Sequence, residues 1–270
     1  MPKPPVKLIV SDVDGTLADS RKRLPPGFPE AVRKLRARGI PFVIASGRQH
    51  YNVLKTFDAV RDDILVLPEN GALLIDGEEA YFTNPIPDEE IAAILAAIAP
   101  IPTAQPMLAG VRAIYLRPGS ERATADVARY YERRVVAPDA FERAKDDTIC
   151  KIAVYDDESS ARNLAPALAG FSDRLSIALS AENWIDIMNK GVNKGSGLLR
   201  ILERLGVKPE ECMAFGDYDN DIPMLRICGE SYAMANATDA VKAVCRHVAP
   251  SNDDDGVMRV LRREFPFLRE

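Results

Sequence analysis

"KLIVSDVDGTLADS" (residues 7–20) runs a mostly apolar segment, "VKLIV" at 6–10, into two carboxylates one residue apart, Asp12 and Asp14. The segment is too short for a helix and ends among turn-formers, so it reads as a buried strand. With strand geometry kept through Asp14, the two-residue period turns both carboxylates to one side and Val13 to the other. Acids this close repel, and they resist ionising together unless a positive charge sits between them. Gly15 permits a tight turn and lets an anion approach the backbone. The stretch is either an Asp-rich turn or a place that holds a cation and does chemistry, and taken alone the turn is the simpler reading.

Outward from this strand, helical and strand patterns alternate. "FPEAVRKLRARG" (28–39) spaces Val32 and Leu35 on one helix face and stops at Gly39, and "IPFVIAS" (40–46) and "DILVL" (63–67) read as further buried strands. Strands separated by helices predict a parallel sheet covered on both faces. In "NGALLIDGEEAYF" (70–82), Asn70-Gly71 and Asp76-Gly77 are hairpin-turn dipeptides, which predicts a small antiparallel extension. After the Pro-containing connector "TNPIPDEE" (83–90), a second series follows. It comprises a helix over 88–99, a strand over 112–116, a helix over 124–134, a strand over 148–155, a helix over 160–170 and a strand over 175–179. "WIDIM" (184–188) then leads to a helix bearing Leu198, Ile201, Leu202 and Leu205 and ending at Gly206. "CMAFGD" (212–217) and "SYAMA" (231–235) read as strands, and "DAVKAVCRH" (239–247) as a helix with Val241, Val244 and Cys245 on one face. The expected organisation is a discontinuous α/β core, 1–84 plus 189–270, with an inserted α/β domain over 85–188.

The 270 residues are 47% hydrophobic and 28% charged with a net charge of −5, an ordinary globular composition with no basic stripe for nucleic acid. Cys150, Cys212, Cys228 and Cys245 lack metal-ligand spacing, and with His50 and His247 the only histidines a zinc site is not expected. No signal-peptide pattern and no bilayer-length apolar run is visible, so the expected location is the cytoplasm.

Three more segments stand at expected strand ends or helix starts, where an open parallel sheet binds ligands. "SGR" (46–48) offers the Ser46 hydroxyl and the Gly47 backbone, either an anion cradle or an ordinary N-cap turn. "GVNKGSG" (191–197) puts Lys194 at a helix N-terminus, against the dipole, a misfit that a bound phosphate would remove unless the lysine is simply solvated. "GDYDND" (216–221) gathers Asp217, Asn220 and Asp221, the oxygen-rich set that a magnesium ion prefers. "SNDDDG" (251–256) is similar in composition but follows no clear strand, and reads as a solvated loop. Together, nucleophile, hydroxyl, lysine and acid cluster can converge on one phosphoryl group.

In this order, D-x-D-G-T (12–16), S-G-R (46–48), K-G-x-x-L (194–198) and G-D-x-x-N-D (216–221) resemble the haloacid dehalogenase superfamily, specifically its Cof-type (subfamily IIB) phosphatases. "ENGA" (69–72), "MANA" (234–237) and "DDGV" (254–257) resemble secondary signatures of that branch, and the likeness spans the chain. The resemblance implies a Rossmann-like core with an inserted cap that closes over the leaving group and sets specificity. It implies Mg²⁺-dependent hydrolysis of a small phosphomonoester, such as a sugar phosphate, with no nucleic-acid or membrane partner. By it Asp12 would be the nucleophile that becomes aspartyl-phosphate and Asp14 the general acid/base. Ser46, Gly47 and Asn220 would bind phosphate, and Lys194 would neutralise it and orient Asp12. Asp12, the Asp14 carbonyl and Asp217 would hold Mg²⁺, with Asp221 supporting them from behind. Tyr218 and Asp219 depart from the smaller residues usual in that loop, which bears on leaving-group access. The competing readings are a phosphomutase using the same intermediate and a receiver-like phospho-aspartate module. In the inserted segment Arg112, Arg117 and Lys151 could face a second anionic group, with ordinary surface charge the simpler expectation.

Overall fold

The structure, a computed structural model, describes residues 4–76 and 79–269. The chain divides into two compact units, Met1–Tyr81 with Asn193–Glu270, and Phe82–Val192.

In the first unit, β1 (Leu8–Ser11) lies between apolar neighbours, and all four of its residues are buried. It pairs in parallel with β2 (Phe42–Ala45), which pairs in parallel with β3 (Ile64–Leu67). The chain then turns back through Asn70-Gly71 into β4 (Leu73–Asp76), antiparallel to β3, with β5 (Glu79–Thr83) beyond it. The Asp76-Gly77 turn falls partly outside the described residues. Helix Phe28–Arg36 starts with a Pro in its first turn and turns Phe28, Ala31, Val32 and Leu35 inward. The Phe28 ring meets Phe42 and Phe57 edge-on at 5.2 and 5.8 Å, which ties the helix to the sheet.

The second unit carries β6 (Ala104–Gly110), β7 (Ile114–Leu116), β8 (Arg134–Val136), β9 (Ile149–Asp156), β10 (Leu175–Ala181) and β11 (Trp184–Asn189), in the order β10-β11-β9-β6-β7-β8. Alternation along β9 sends Ile152 and Val154 to one face, against Ile94 and Leu164 from helices Asp88–Ile98 and Ser160–Leu168. Ala153 and Tyr155 go to the other face, with Ala123, Val127 and Tyr131. Lys151 shares this second face. It is 1% exposed, with its Nζ 3.5 Å from the Asp186 carboxylate and over the Tyr131 ring, so the surface-charge expectation fails for it. Burial of a lysine is tolerated here because an acid and an aromatic face receive its charge. Arg112 and Arg117 are exposed, beside Asp147 and over the Phe141 ring respectively.

The chain returns to the first unit with helix Lys194–Leu205, then β12 (Cys212–Gly216), β13 (Glu230–Met234) and β14 (His247–Ala249). These extend the parallel sheet as β14-β13-β12-β1-β2-β3-β4-β5. Helices lie on both sides of the sheet, an α/β fold consistent with the expected Rossmann-like core. Among the described residues no helix is long and apolar enough to cross a membrane.

Several expectations need correction. The strand Ala104–Gly110 was not expected, and it sits inside its sheet although Pro106 interrupts the apolar pattern. The helix expected over 124–134 is Glu121–Tyr130, capped by the Ser120 hydroxyl and ended by extended backbone at Tyr131. The helix expected over 239–247 stops at Val244, where Cys245 is extended, and His247–Ala249 forms an edge strand. "SNDDDG" therefore does follow a strand. Its Asn252 is buried and donates to the Ala18 carbonyl, and Asp253 accepts from the Ser20 amide, so the loop braces the turn after β1. Helix Gly256–Glu264 follows it.

Candidate active site

Ser11 of β1 is level with Phe215 of β12 and Ile44 of β2. The residues just past these points, Asp12, Asp217 and Ser46, therefore emerge at one edge of the sheet. Asp12 is 7% exposed and its amide donates to the Phe215 carbonyl. Gly15 turns the chain at φ 80°, and a Cβ there would lie 2.3 Å from an Asp217 oxygen. The turn can press onto Asp217 only because residue 15 is glycine. The Thr16 hydroxyl donates to Asp217 at 2.7 Å.

Lys194, fully buried, donates to Asp12 Oδ1 at 2.5 Å and to Asp221 Oδ1 at 2.6 Å. The misfit with the helix dipole is thus resolved by two carboxylates of the chain itself rather than by a ligand. Asn193 caps the helix, exchanging hydrogen bonds with Ser196. A Cβ on Gly195 would lie 2.7 Å from the Pro223 backbone, and one on Gly197 would lie 2.7 Å from Leu67. Those glycines bring the helix start, and Lys194 with it, close against its neighbours. The other oxygen of Asp221 accepts from the Asp217 and Tyr218 amides. Asp221 therefore holds the lysine with one oxygen and the Asp217 loop with the other.

Ligand oxygens of Asp12, Asp217 and Asp221 all lie within 4.8 Å of one another. Burial, with Asp221 and Asp217 nearby, raises the Asp12 pKa to about 8 against the lowering effect of Lys194. Burial likewise raises Asp217 to about 6 despite the Thr16 hydrogen bond. For Lys194 the two carboxylates outweigh burial and raise its pKa. An all-oxygen set of crowded, reluctantly ionised acids is what a hard divalent cation relieves, so these residues fit one.

Asp14 stands apart from this cluster. Its side chain is 33% exposed and takes a fork from Arg48, Nε at 2.6 Å and Nη2 at 2.5 Å, plus Lys22 Nζ at 2.6 Å. Burial pushes its pKa up, but the hydrogen bonds and charges of Arg48 and then Lys22 prevail and hold it below the usual value. Neither cation was singled out from the sequence. The Arg48 signal was the third letter of "SGR", while Lys22 carried none.

Ser46 is buried, and its hydroxyl accepts from the Arg48 amide at 3.2 Å. Gly47 packs against Asn70, whose side chain a Cβ would meet at 3.2 Å. Asn220 is exposed and donates to Asn70 Oδ1 at 3.1 Å. Tyr218 is 53% exposed, and Asp219 accepts from the Thr238 hydroxyl, outside the acid cluster. The sequence reading gives Asn70 a place in the Asn70-Gly71 turn and in "ENGA", but no part in the site.

The family model of haloacid dehalogenase-like hydrolases matches residues 9–261. A 5-amino-6-(5-phospho-D-ribitylamino)uracil phosphatase of Escherichia coli (strain K12) is 30% identical over 268 residues, covering 97% of this chain and 98% of its own. A crystal structure from Streptococcus mutans UA159 superposes with a TM-score of 0.86 at 31% identity, covering 98% of this chain and all of the other. A structure described as a haloacid dehalogenase subclass IIB sugar phosphatase gives a TM-score of 0.82 at 25% identity, over 96% of this chain and 98% of its own.

Proposed function

The chain belongs to the haloacid dehalogenase-like hydrolases, among their Cof-type phosphatases, and from that premise we propose that it hydrolyses a small sugar or polyol phosphomonoester through a phosphorylated Asp12. The observation that carries this reading is the buried lysine shared by Asp12 and Asp221 with Asp217 alongside. An oxygen of Asp12 attacks phosphorus, the ester P–O bond breaks, and the leaving oxygen takes a proton from Asp14. Water then attacks the acyl-phosphate, Asp14 accepts its proton, and inorganic phosphate leaves. Lys194 fixes Asp12 in the attacking orientation, and Ser46, the Gly47 backbone and Asn220 receive the phosphoryl oxygens. Asp12, the Asp14 carbonyl and Asp217 would hold Mg²⁺, with Asp221 steadying the loop behind them. When bound, the ion supplies charge neutralisation for the phosphoryl group.

Arg48 and Lys22 keep Asp14 ionised, the state that accepts the proton of water. Donating to the leaving group requires those ion pairs to loosen. The unit Phe82–Val192 would act as the specificity cap, and the names of two relatives, a ribitylamino-uracil phosphatase and a sugar phosphatase, support a sugar-like leaving group.

A phosphate-release screen over sugar and polyol phosphates tests the proposal. Asp12→Asn should abolish release while the protein stays folded, and chelation by EDTA should stop turnover until Mg²⁺ is restored. Retained activity in Asp12→Asn would overturn the mechanism. Isomerised sugar phosphate in place of inorganic phosphate would mark a mutase.

A further inference from the structure

Glu69, Asn70 and Gly71 carry consecutive positive φ angles of 48°, 53° and 94°. Two non-glycine residues in the left-handed region are strained, and strain of this kind persists only where the surroundings enforce it. Here they do. The Glu69 and Asn70 amides donate to the carbonyls of Arg48 and Ser46, and Gly71 passes so near Asn193 that a Cβ would meet its carbonyl oxygen at 2.5 Å. The tripeptide thus touches the Ser46–Arg48 loop and the start of the Lys194 helix, and the Asn70 side chain reaches a third segment. Its Oδ1 accepts from Asn220 Nδ2 at 3.1 Å, and the same amide lies against Gly47.

From this geometry we infer that Asn70 is a positioning residue for phosphate binding: it orients the Asn220 amide against the Ser46–Gly47 turn, making one anion cradle of two segments far apart in sequence. An amide nitrogen carries two hydrogens. Asn70 takes one, which fixes the plane of the Asn220 side chain and sets the direction of the other. Asn220 is exposed, so without this bond its side chain would sample several rotamers and binding phosphate would have to order it. The inference rests on the proposed phosphate role of Asn220 and adds the residue that aims it.

The test is a double-mutant cycle read as the Ki of inorganic phosphate, competing with p-nitrophenyl phosphate in the presence of Mg²⁺. Asn70→Gly removes only the side chain, since the amide to Ser46 remains and glycine accepts the positive φ without strain. Its melting temperature should stay within about 3 °C of wild type. Asn70→Gly and Asn220→Ala should each raise the Ki and the KM about tenfold. The double variant should be no weaker than Asn220→Ala alone, because the two residues act as a unit. An unchanged Ki in Asn70→Gly beside a raised one in Asn220→Ala overturns the inference and leaves the phosphate role of Asn220 standing. Multiplying effects in the double variant overturn it as well. An unchanged Ki in Asn220→Ala removes both.

Discussion

Asp12 is the residue whose titration the fold alters most legibly. Its pKa of about 8 against an ordinary 3.8 means that, between those values, the folded chain keeps a proton that the unfolded chain has released. Stability from that proton is complete below the unfolded value and fades as pH rises toward the folded one. Asp12→Asn cannot titrate, so without metal it should gain melting temperature over wild type progressively from pH 5 to pH 8. A difference that stays flat across that range would show that folding leaves the Asp12 titration unaltered. Asp14 calls for a different measurement, because Arg48 and Lys22 hold it. In the proposed mechanism it is the proton donor, a role that matters most for a poor leaving group. Asp14→Asn should lower kcat/KM about 100-fold on an alkyl phosphate and much less on p-nitrophenyl phosphate. Equal losses on both would remove it from proton transfer. Of its two cations Arg48 outweighs Lys22, being a planar fork at 14% exposure against a lone ammonium at 58%.

At the scale of elements, glycines set how closely the pieces approach. Gly71→Ala places a Cβ 2.5 Å from the Asn193 carbonyl on a residue at φ 94°. It should cost about 2–3 kcal/mol in urea unfolding, and should lower activity further because the helix bearing Lys194 is displaced. Unchanged stability would show that the 69–71 turn relaxes away from the helix. Much of this layer was legible in the sequence, because strands that are buried on both faces are nearly unbroken apolar runs, as in β1, β2 and β3. What escaped has physical reasons. Pro106 breaks the run of β6, yet its sheet tolerates the missing donor. The Ser120 cap starts a helix earlier than its apolar residues suggest. β14 offers only Val248 and Ala249 as apolar letters, with His247 stacked on the Tyr232 ring. Arg48 and Lys22 escaped because surface-type residues carry no periodicity. Only the fold brings them to Asp14.

For the whole molecule, the fit of the acid cluster to a divalent cation predicts that stability depends on metal concentration. Crowded carboxylates destabilise the folded chain, and a cation bound only by the folded chain stabilises it by mass action. Mg²⁺ at about 100 times its dissociation constant should therefore add about 2.7 kcal/mol, visible as a rise in melting temperature. The rise should be greatly reduced in Asp217→Ala. An equal rise in that variant would place the ion elsewhere. Strand-end placement of Asp12, Ser46 and Asp217 was legible because a parallel sheet puts its ligand edge where strands end. The partners of Lys194 were not, since a lysine letter looks alike on the surface and in the core.

The pairing of β1 with β12 also bears on how the chain is made. β1 is synthesised first, yet one of its two hydrogen-bonded neighbours, Cys212–Gly216, is translated about 200 residues later. Until then a largely apolar strand has an open edge on the growing polypeptide, a template for pairing with other chains. Asp12 likewise waits 182 residues for Lys194. A truncated or ribosome-stalled chain lacking that return segment is therefore inert and sticky at once, and turnover in a cell extract reports only on chains translated past the last strand of the site.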